Sequence, residues 1–285
     1  MIGGRAAARR VRAVLILAVV AVMLAGVETR AAAQGLRFSA PLDLTVTLTG
    51  AGAWVTSQGL RADLVPSHCR WCDRDNVGND ELNRVDRSVR RLRWTRRDLA
   101  DSLSNMTAFV GTPLVAAGSS ALAASHDERS HDVGPDLLLV AESGVLAADL
   151  NQLVKFIAVR ERPYAHARAL ADPAARATSV DDDLSFYSGH ATEAVSLAVA
   201  AGTVASLRGY RLAPLVWASS LPLALVTGYL RIGADRHYFT DVLVGAVAGA
   251  AVGCLVPYVL HRPDATTVSP SPAGPAPVIA FSGAW

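Results

Sequence analysis

Two stretches near the C-terminus decide the architecture: LAPLVWASSLPLALVTGYL at positions 212–230 and VLVGAVAGAAVGCLVPYVL at positions 242–260. Each runs 19 residues without a charged side chain, close to the ~20 that carry a helix across a bilayer. In the second, Gly245, Gly249 and Gly253 recur every four residues, so they share one helical face and allow a neighbouring helix to approach closely. Toward the N-terminus, further apolar segments cover 194–207, 137–154, 102–125 and 44–60, with polar connections and almost no strand-like alternation. The pattern predicts an all-α fold, a helical bundle of about six helices embedded in a membrane. Glu142 and Asp149 lie seven apart on one face of the 137–154 segment, which in lipid must turn toward the bundle interior. A soluble bundle of buried helices fits the same spacing.

Composition sets the outer limits. A chain of 285 residues with 51% hydrophobic and 18% charged side chains is not disordered over most of its length. Its first 33 residues resemble an export leader, with Arg5, Arg9, Arg10 and Arg12 ahead of or within the start of an apolar run over 11–27, followed by Ala31-Ala32-Ala33. The same run can also stay in place as a first membrane helix. Beyond it remain 22 basic against 24 acidic side chains, which offers no basic surface for nucleic acid. The organisation expected is a signal peptide or first membrane helix over 1–33, an N-terminal segment with a polar, arginine-rich part over 34–98, the helical bundle over 99–262, and a disordered tail over 263–285 rich in Pro, Ser, Ala and Gly. Arg90, Arg91, Arg93, Arg96 and Arg97 read as a solvated or headgroup-facing run. Cys69 and Cys72 suit a local disulfide staple or half of a metal site, and no second Cys or His pair at zinc spacing follows.

The chain has one lysine among 27 basic residues, and it stands beside the residues that carry chemistry. Lys155 closes the 137–154 helix, and Arg162 lies seven residues on, two helical turns away on the same face, with Pro163 ending that helix. Two such cations can grip different oxygens of one phosphate, the lysine as a point charge and the arginine as a planar fork. Ser188-Gly189-His190 opens the next helix, where unpaired backbone N–H groups favour an anion. Gly189 lets backbone approach an oxyanion, and His190 can protonate a departing oxygen. His237 and Asp241 are spaced i, i+4, at which a carboxylate can accept from one imidazole nitrogen and leave the other as nucleophile. Arg231 supplies a third cation. The neighbouring Asp235-Arg236 reads as a solvated pair. Each pattern alone is common in proteins without such chemistry; their joint occurrence at helix ends is what indicates a metal-free phosphotransfer site.

These residues resemble the type 2 phosphatidic acid phosphatase and vanadium haloperoxidase superfamily. Its signature is lysine, six residues, Arg-Pro; then Pro-Ser-Gly-His; then Ser-Arg, five residues, His, three residues, Asp. The match runs from Lys155 to Asp241, with Tyr187 in place of the proline and Leu230 in place of the serine. The resemblance implies that Lys155, Arg162, Ser188, Gly189 and Arg231 bind phosphate, that His237 attacks phosphorus, that Asp241 orients it, and that His190 protonates the leaving oxygen. It implies no cofactor and no metal. A phosphohistidine would form and be hydrolysed by water, with a lipid phosphate or isoprenoid pyrophosphate as substrate. The other readings are a soluble periplasmic acid phosphatase of broad specificity, a vanadium-dependent haloperoxidase, and a non-catalytic membrane protein with a vestigial phosphate pocket. Any spanning arrangement puts the three motifs on one membrane face, and the expectation is a bacterial-type inner membrane with that face toward the periplasm, given that 44–60 does not span and Arg208 and Arg211 then fall inside.

Overall fold

The structure, a computed structural model, describes residues 35–66, 68–75, 77–172 and 179–262. The leader expected over 1–33 and the tail expected over 263–285 lie outside the described residues. Among the described residues the fold is all-α, and the only extended pairings are two isolated bridges, Trp71 with Arg160 and Arg74 with Asp80.

The helices in chain order are α1 (Ala40–Gly59), α2 (Arg61–Leu64), α3 (Arg84–Val89), α4 (Arg97–Met106), α5 (Thr112–His126), α6 (Val133–Ala158), α7 (Pro163–Ala171), α8 (Gly189–Leu207), α9 (Ala213–Gly233) and α10 (Phe239–Leu255). A π-helical turn over Thr107–Gly111 joins α4 to α5, and another over Val256–Leu260 extends α10. The bundle is built around α8, thirteen of whose 19 residues are buried. Its sequence explains the position: Ala, Gly, Ser and Thr make a thin helix against which others can lie closely.

The α10 face of Gly245, Gly249 and Gly253 rests directly on α8. A Cβ on Gly245 would stand 2.7 Å from the Ser188 carbonyl and one on Gly253 2.5 Å from the Ser196 carbonyl, while Gly249 meets the Thr192 carbonyl. On another side, Gly202 of α8 receives the indole of Trp217 from α9. The Ser196 hydroxyl donates to the Ser143 carbonyl of α6 at 3.0 Å, and α1 lies on α6 with Gly50 against Val145. Glu142 is buried as its spacing predicts.

Among the described residues, four helical runs are long and apolar enough to cross a membrane: Arg97–His126, Ser130–Ala158, Ala213–Gly233 and Phe239–Leu260. Their outer faces expose large apolar side chains, among them Leu114, Leu122, Leu153, Ile157, Val247 and Leu255. Exposed apolar surface on this scale is characteristic of a bilayer or a partner rather than water.

The structure corrects the expected local geometry at two places. Arg162 is not on the helix that carries Lys155, because α6 ends at Ala158, where Val159 takes a left-handed φ of 43° and its N–H returns to the Lys155 carbonyl. Pro163 begins α7 at a position where its missing N–H costs nothing, rather than ending α6. The arginine run over 90–97 is not uniformly solvated either, since Arg90 reaches inward to Asp235 and to the Pro163 carbonyl.

Candidate active site

Four helix ends meet at one end of the bundle: the C-termini of α6 and α9 and the N-termini of α8 and α10. Between them lies a cavity of about 340 Å³ whose wall includes Lys155, Arg162, Gly189, His190, Arg231 and His237. Six of the eight sequence-predicted site residues therefore share one space. Ser188 and Asp241 stand behind the wall, fully buried. The Ser188 hydroxyl caps α8 by accepting from the Ala191 N–H, and its own N–H donates to the Asp241 carbonyl at 3.0 Å.

The extended strip after α6 aims Arg162. Residues 68–75 brace this strip: the Cys69–Cys72 disulfide closes the loop, Arg70 N–H donates to the Val159 carbonyl at 3.0 Å, and Glu161 N–H donates to the Trp71 carbonyl at 3.0 Å. The disulfide staple expected from the sequence thus positions a site residue. The Arg162 guanidinium donates to the Asp181 carbonyl at 2.6 Å, to the Asp181 carboxylate at 3.0 Å and to the Arg236 carbonyl at 3.1 Å, and its Nη1 lies 3.4 Å from His237 Nε2. Arg231 is fixed from α4, by Asp101 at 2.6 Å and the Ser104 hydroxyl at 3.0 Å.

His237 is oriented differently from the sequence expectation. Its Nδ1 is 3.9 Å from Asp241, beyond hydrogen-bond length, and 2.8 Å from the Ser185 backbone carbonyl. A carbonyl only accepts, so Nδ1 carries the proton and Nε2 presents its lone pair beside Arg162 at the cavity wall. Asp241 works one step back. It accepts from Arg160 at 2.6 Å, from the Ser185 hydroxyl at 2.6 Å and from the Tyr238 N–H at 3.0 Å. It fixes the segment whose carbonyl orients His237, and it caps α10. Burial, with Arg162 and Arg231 beside it, holds the His237 pKa well below the ordinary 6.5, so the ring is neutral as a nucleophile requires. Asp181 is held below the usual carboxylate range although burial pushes the other way, because Arg162 and Lys155 face it.

His190 Nε2 lies 2.7 Å from Asn105 Oδ1, an acceptor, so Nε2 carries a proton and donates a hydrogen bond to Asn105. Gly189 is required by proximity: a Cβ there would stand 2.8 Å from Asn151 Oδ1 and 3.4 Å from Lys155 Nζ. Asn151 also replaces the absent proline, donating to the Tyr187 carbonyl at 2.8 Å and so bracing the turn from outside.

Several participants escaped the sequence reading. Asp235-Arg236 is not a solvated pair: Asp235 is 1% exposed and ion-paired with Arg90 at 2.9 Å, while Arg236 lines the cavity and bonds Asp101 at 2.7 Å. Arg160 is fully buried between the rings of Trp71 and Tyr238, and it joins Asp73, Asp86 and Asp241. One of many arginines, it carried no signal in spacing. Asp101 and Asn105 lie on α4, 54 and 50 residues before Lys155.

Residues 136–264 match the family model described as PAP2 superfamily. That stretch supports a place for the helical bundle in the PAP2 superfamily. No curated protein and no solved structure matches it. The matched stretch supplies Lys155, Arg162, Arg231 and both histidines of the cavity, whereas α1 and α4, which complete the cavity through Trp54, Gln58, Asp101 and Asn105, precede it. The match to the PAP2 superfamily supports a phosphatase-type hydrolase.

Proposed function

We propose that the protein hydrolyses a lipid phosphate or isoprenoid pyrophosphate at the membrane surface through a phosphohistidine intermediate. The observation that carries this reading is the meeting of Lys155, Arg162 and Arg231 with His190 and His237 in one cavity. Three cations around a tetrahedral anion neutralise its peripheral oxygens in a preorganised site, the task a divalent ion performs elsewhere. His237 Nε2 attacks phosphorus as the bond to the leaving oxygen breaks, and His190 gives that oxygen its proton. Water then attacks the phosphohistidine, His190 takes a proton from it, and phosphate departs from a regenerated His237.

A lipid substrate is favoured by the side of the cavity formed by the end of α4 and the π-helical turn that follows it. Phe109 lines the cavity yet is 47% exposed, next to exposed Met106 and Val110. An acyl or isoprenoid chain could lie along that apolar face while its phosphate reaches the cations. The same bundle end faces the periplasm if the N-terminal run inserts outward and α1 stays on one side. A phosphate-release assay on purified protein in detergent, comparing phosphatidate, undecaprenyl pyrophosphate and a water-soluble phosphomonoester, tests the reading. Release from at least one lipid substrate, lost in His237→Ala, is expected. Equal rates for wild type and His237→Ala, or release from the soluble ester alone, would overturn it.

A further inference from the structure

At the far end of the bundle a second cluster of ligating groups has no part in the phosphate site. Asp43 in the first turn of α1, Glu142 on α6 and His261 just after α10 are all buried, and one ligand atom from each lies within 4.8 Å of the others. Glu142 and Lys155 are on the same helix, separated by about 20 Å at the α-helical rise per residue. The cluster is not a surface patch of acids. Its members are 4%, 3% and 4% exposed.

The hydrogen bonds within it are incomplete in a specific way. His261 Nδ1 lies 3.1 Å from the Arg37 carbonyl, which can only accept, so Nδ1 carries a proton. That leaves Nε2 aimed at Glu142 Oε2 at 3.5 Å. Neither of these two atoms has a hydrogen-bond partner among the described residues. A charged imidazolium–carboxylate hydrogen bond closes to about 2.8 Å, so this contact is not one. With Nδ1 spent on that carbonyl, the Nε2 edge of His261 and the carboxylates of Glu142 and Asp43 converge on one buried space, a donor set that a cation can occupy. Asp43 adds a second carboxylate, one of whose oxygens is already oriented by the Ser39 N–H at 2.9 Å. A backbone carbonyl behind the histidine and an amide behind the carboxylate are the outer supports usual around a metal.

We propose that Asp43, Glu142 and His261 bind a divalent first-row transition ion, Zn²⁺ foremost, which fastens the start of α1 and the end of α10 to α6. One neutral imidazole and two carboxylates suit Zn²⁺ in ligand type and leave a position for water. The charge also balances, since a dication neutralises two buried carboxylates that would otherwise repel inside the bundle. The site is structural: it lies remote from the phosphate cavity and supplies nothing to the reaction.

The test uses the full chain in detergent, stripped with chelator and then titrated with Zn²⁺, with Mg²⁺ as the control ion. Binding of about one Zn²⁺ per chain and a higher melting temperature are expected for the wild type. His261→Ala and Glu142→Gln should each weaken Zn²⁺ binding by about tenfold or more, lose the thermal shift, and keep phosphate release at room temperature. Because either variant could fold poorly, their metal-free melting temperatures are compared with that of the stripped wild type. The proposal is overturned if Zn²⁺ leaves the wild-type melting temperature unchanged, if His261→Ala binds it equally well, or if stability follows protonation of the histidine and ignores metal.

Discussion

Arg160 and Asp241 are joined across 81 residues of sequence by a 2.6 Å hydrogen bond between two fully buried charges. The same guanidinium holds Asp73 at 2.9 Å and Asp86 at 3.0 Å, so one side chain ties the disulfide loop and α3 to the residue that fixes Ser185. Arg160→Ala would leave three carboxylates without their shared cation, a loss on the order of 3–5 kcal/mol. Arg160→Lys should recover only part of it, because a point charge cannot replace a planar fork stacked between two rings. Denaturation midpoints of the two variants check this, and wild-type stability in Arg160→Ala would refute the role.

The pH dependence follows from His237. In the proposed mechanism its unprotonated form is the nucleophile, so activity should fall as pH drops through its pKa, and that pKa is depressed below 6.5 by burial and by Arg162. The acid limb of kcat/KM should therefore have its midpoint below 6.5, once substrate ionisation has been titrated separately. A midpoint at or above 6.5 would contradict the electrostatic environment described.

The two histidines should fail differently. His237→Ala should abolish the phosphoenzyme and lower kcat by on the order of 10³ or more. His190→Ala should slow phosphoenzyme formation, read as a single turnover, by about 10²–10⁴ with an alkyl leaving group and much less with p-nitrophenol, which departs without a proton. Equal losses on both substrates would remove His190 from the acid role. Vanadate should inhibit the wild type. A chelator should leave kcat at room temperature intact while lowering the melting temperature through the distant Asp43–Glu142–His261 cluster.

Gly249 sits where α10 touches the backbone of α8 at Thr192, with no room for a side chain. Gly249→Ala should push the helices apart and destabilise the fold by about 1–3 kcal/mol. Gly52→Ala, at a position facing open space on α1, is the control and should be neutral or slightly stabilising. Thermal melts of both variants, with activity measured at low temperature, separate packing from chemistry.

The sequence by itself determined the helical segments, the glycine face of α10 and six of the residues that line the cavity, and it left Cys69 and Cys72 open between a disulfide and half of a metal site. Those features rest on local periodicity and on side-chain chemistry, both of which survive in a linear string. Tertiary structure alone decided what orients His237, because the choice between Asp241 and the Ser185 carbonyl depends on distances of 3.9 and 2.8 Å set by packing. It also decided that Arg162 leaves the helix of Lys155, through the left-handed turn at Val159, a β-branched residue that local propensity would not place there. Arg160, Asp101, Asn105 and the Asp43–Glu142–His261 cluster were silent in the sequence for the same reason. Their partners are far away along the chain, and a buried charge acquires meaning only from the group folded against it.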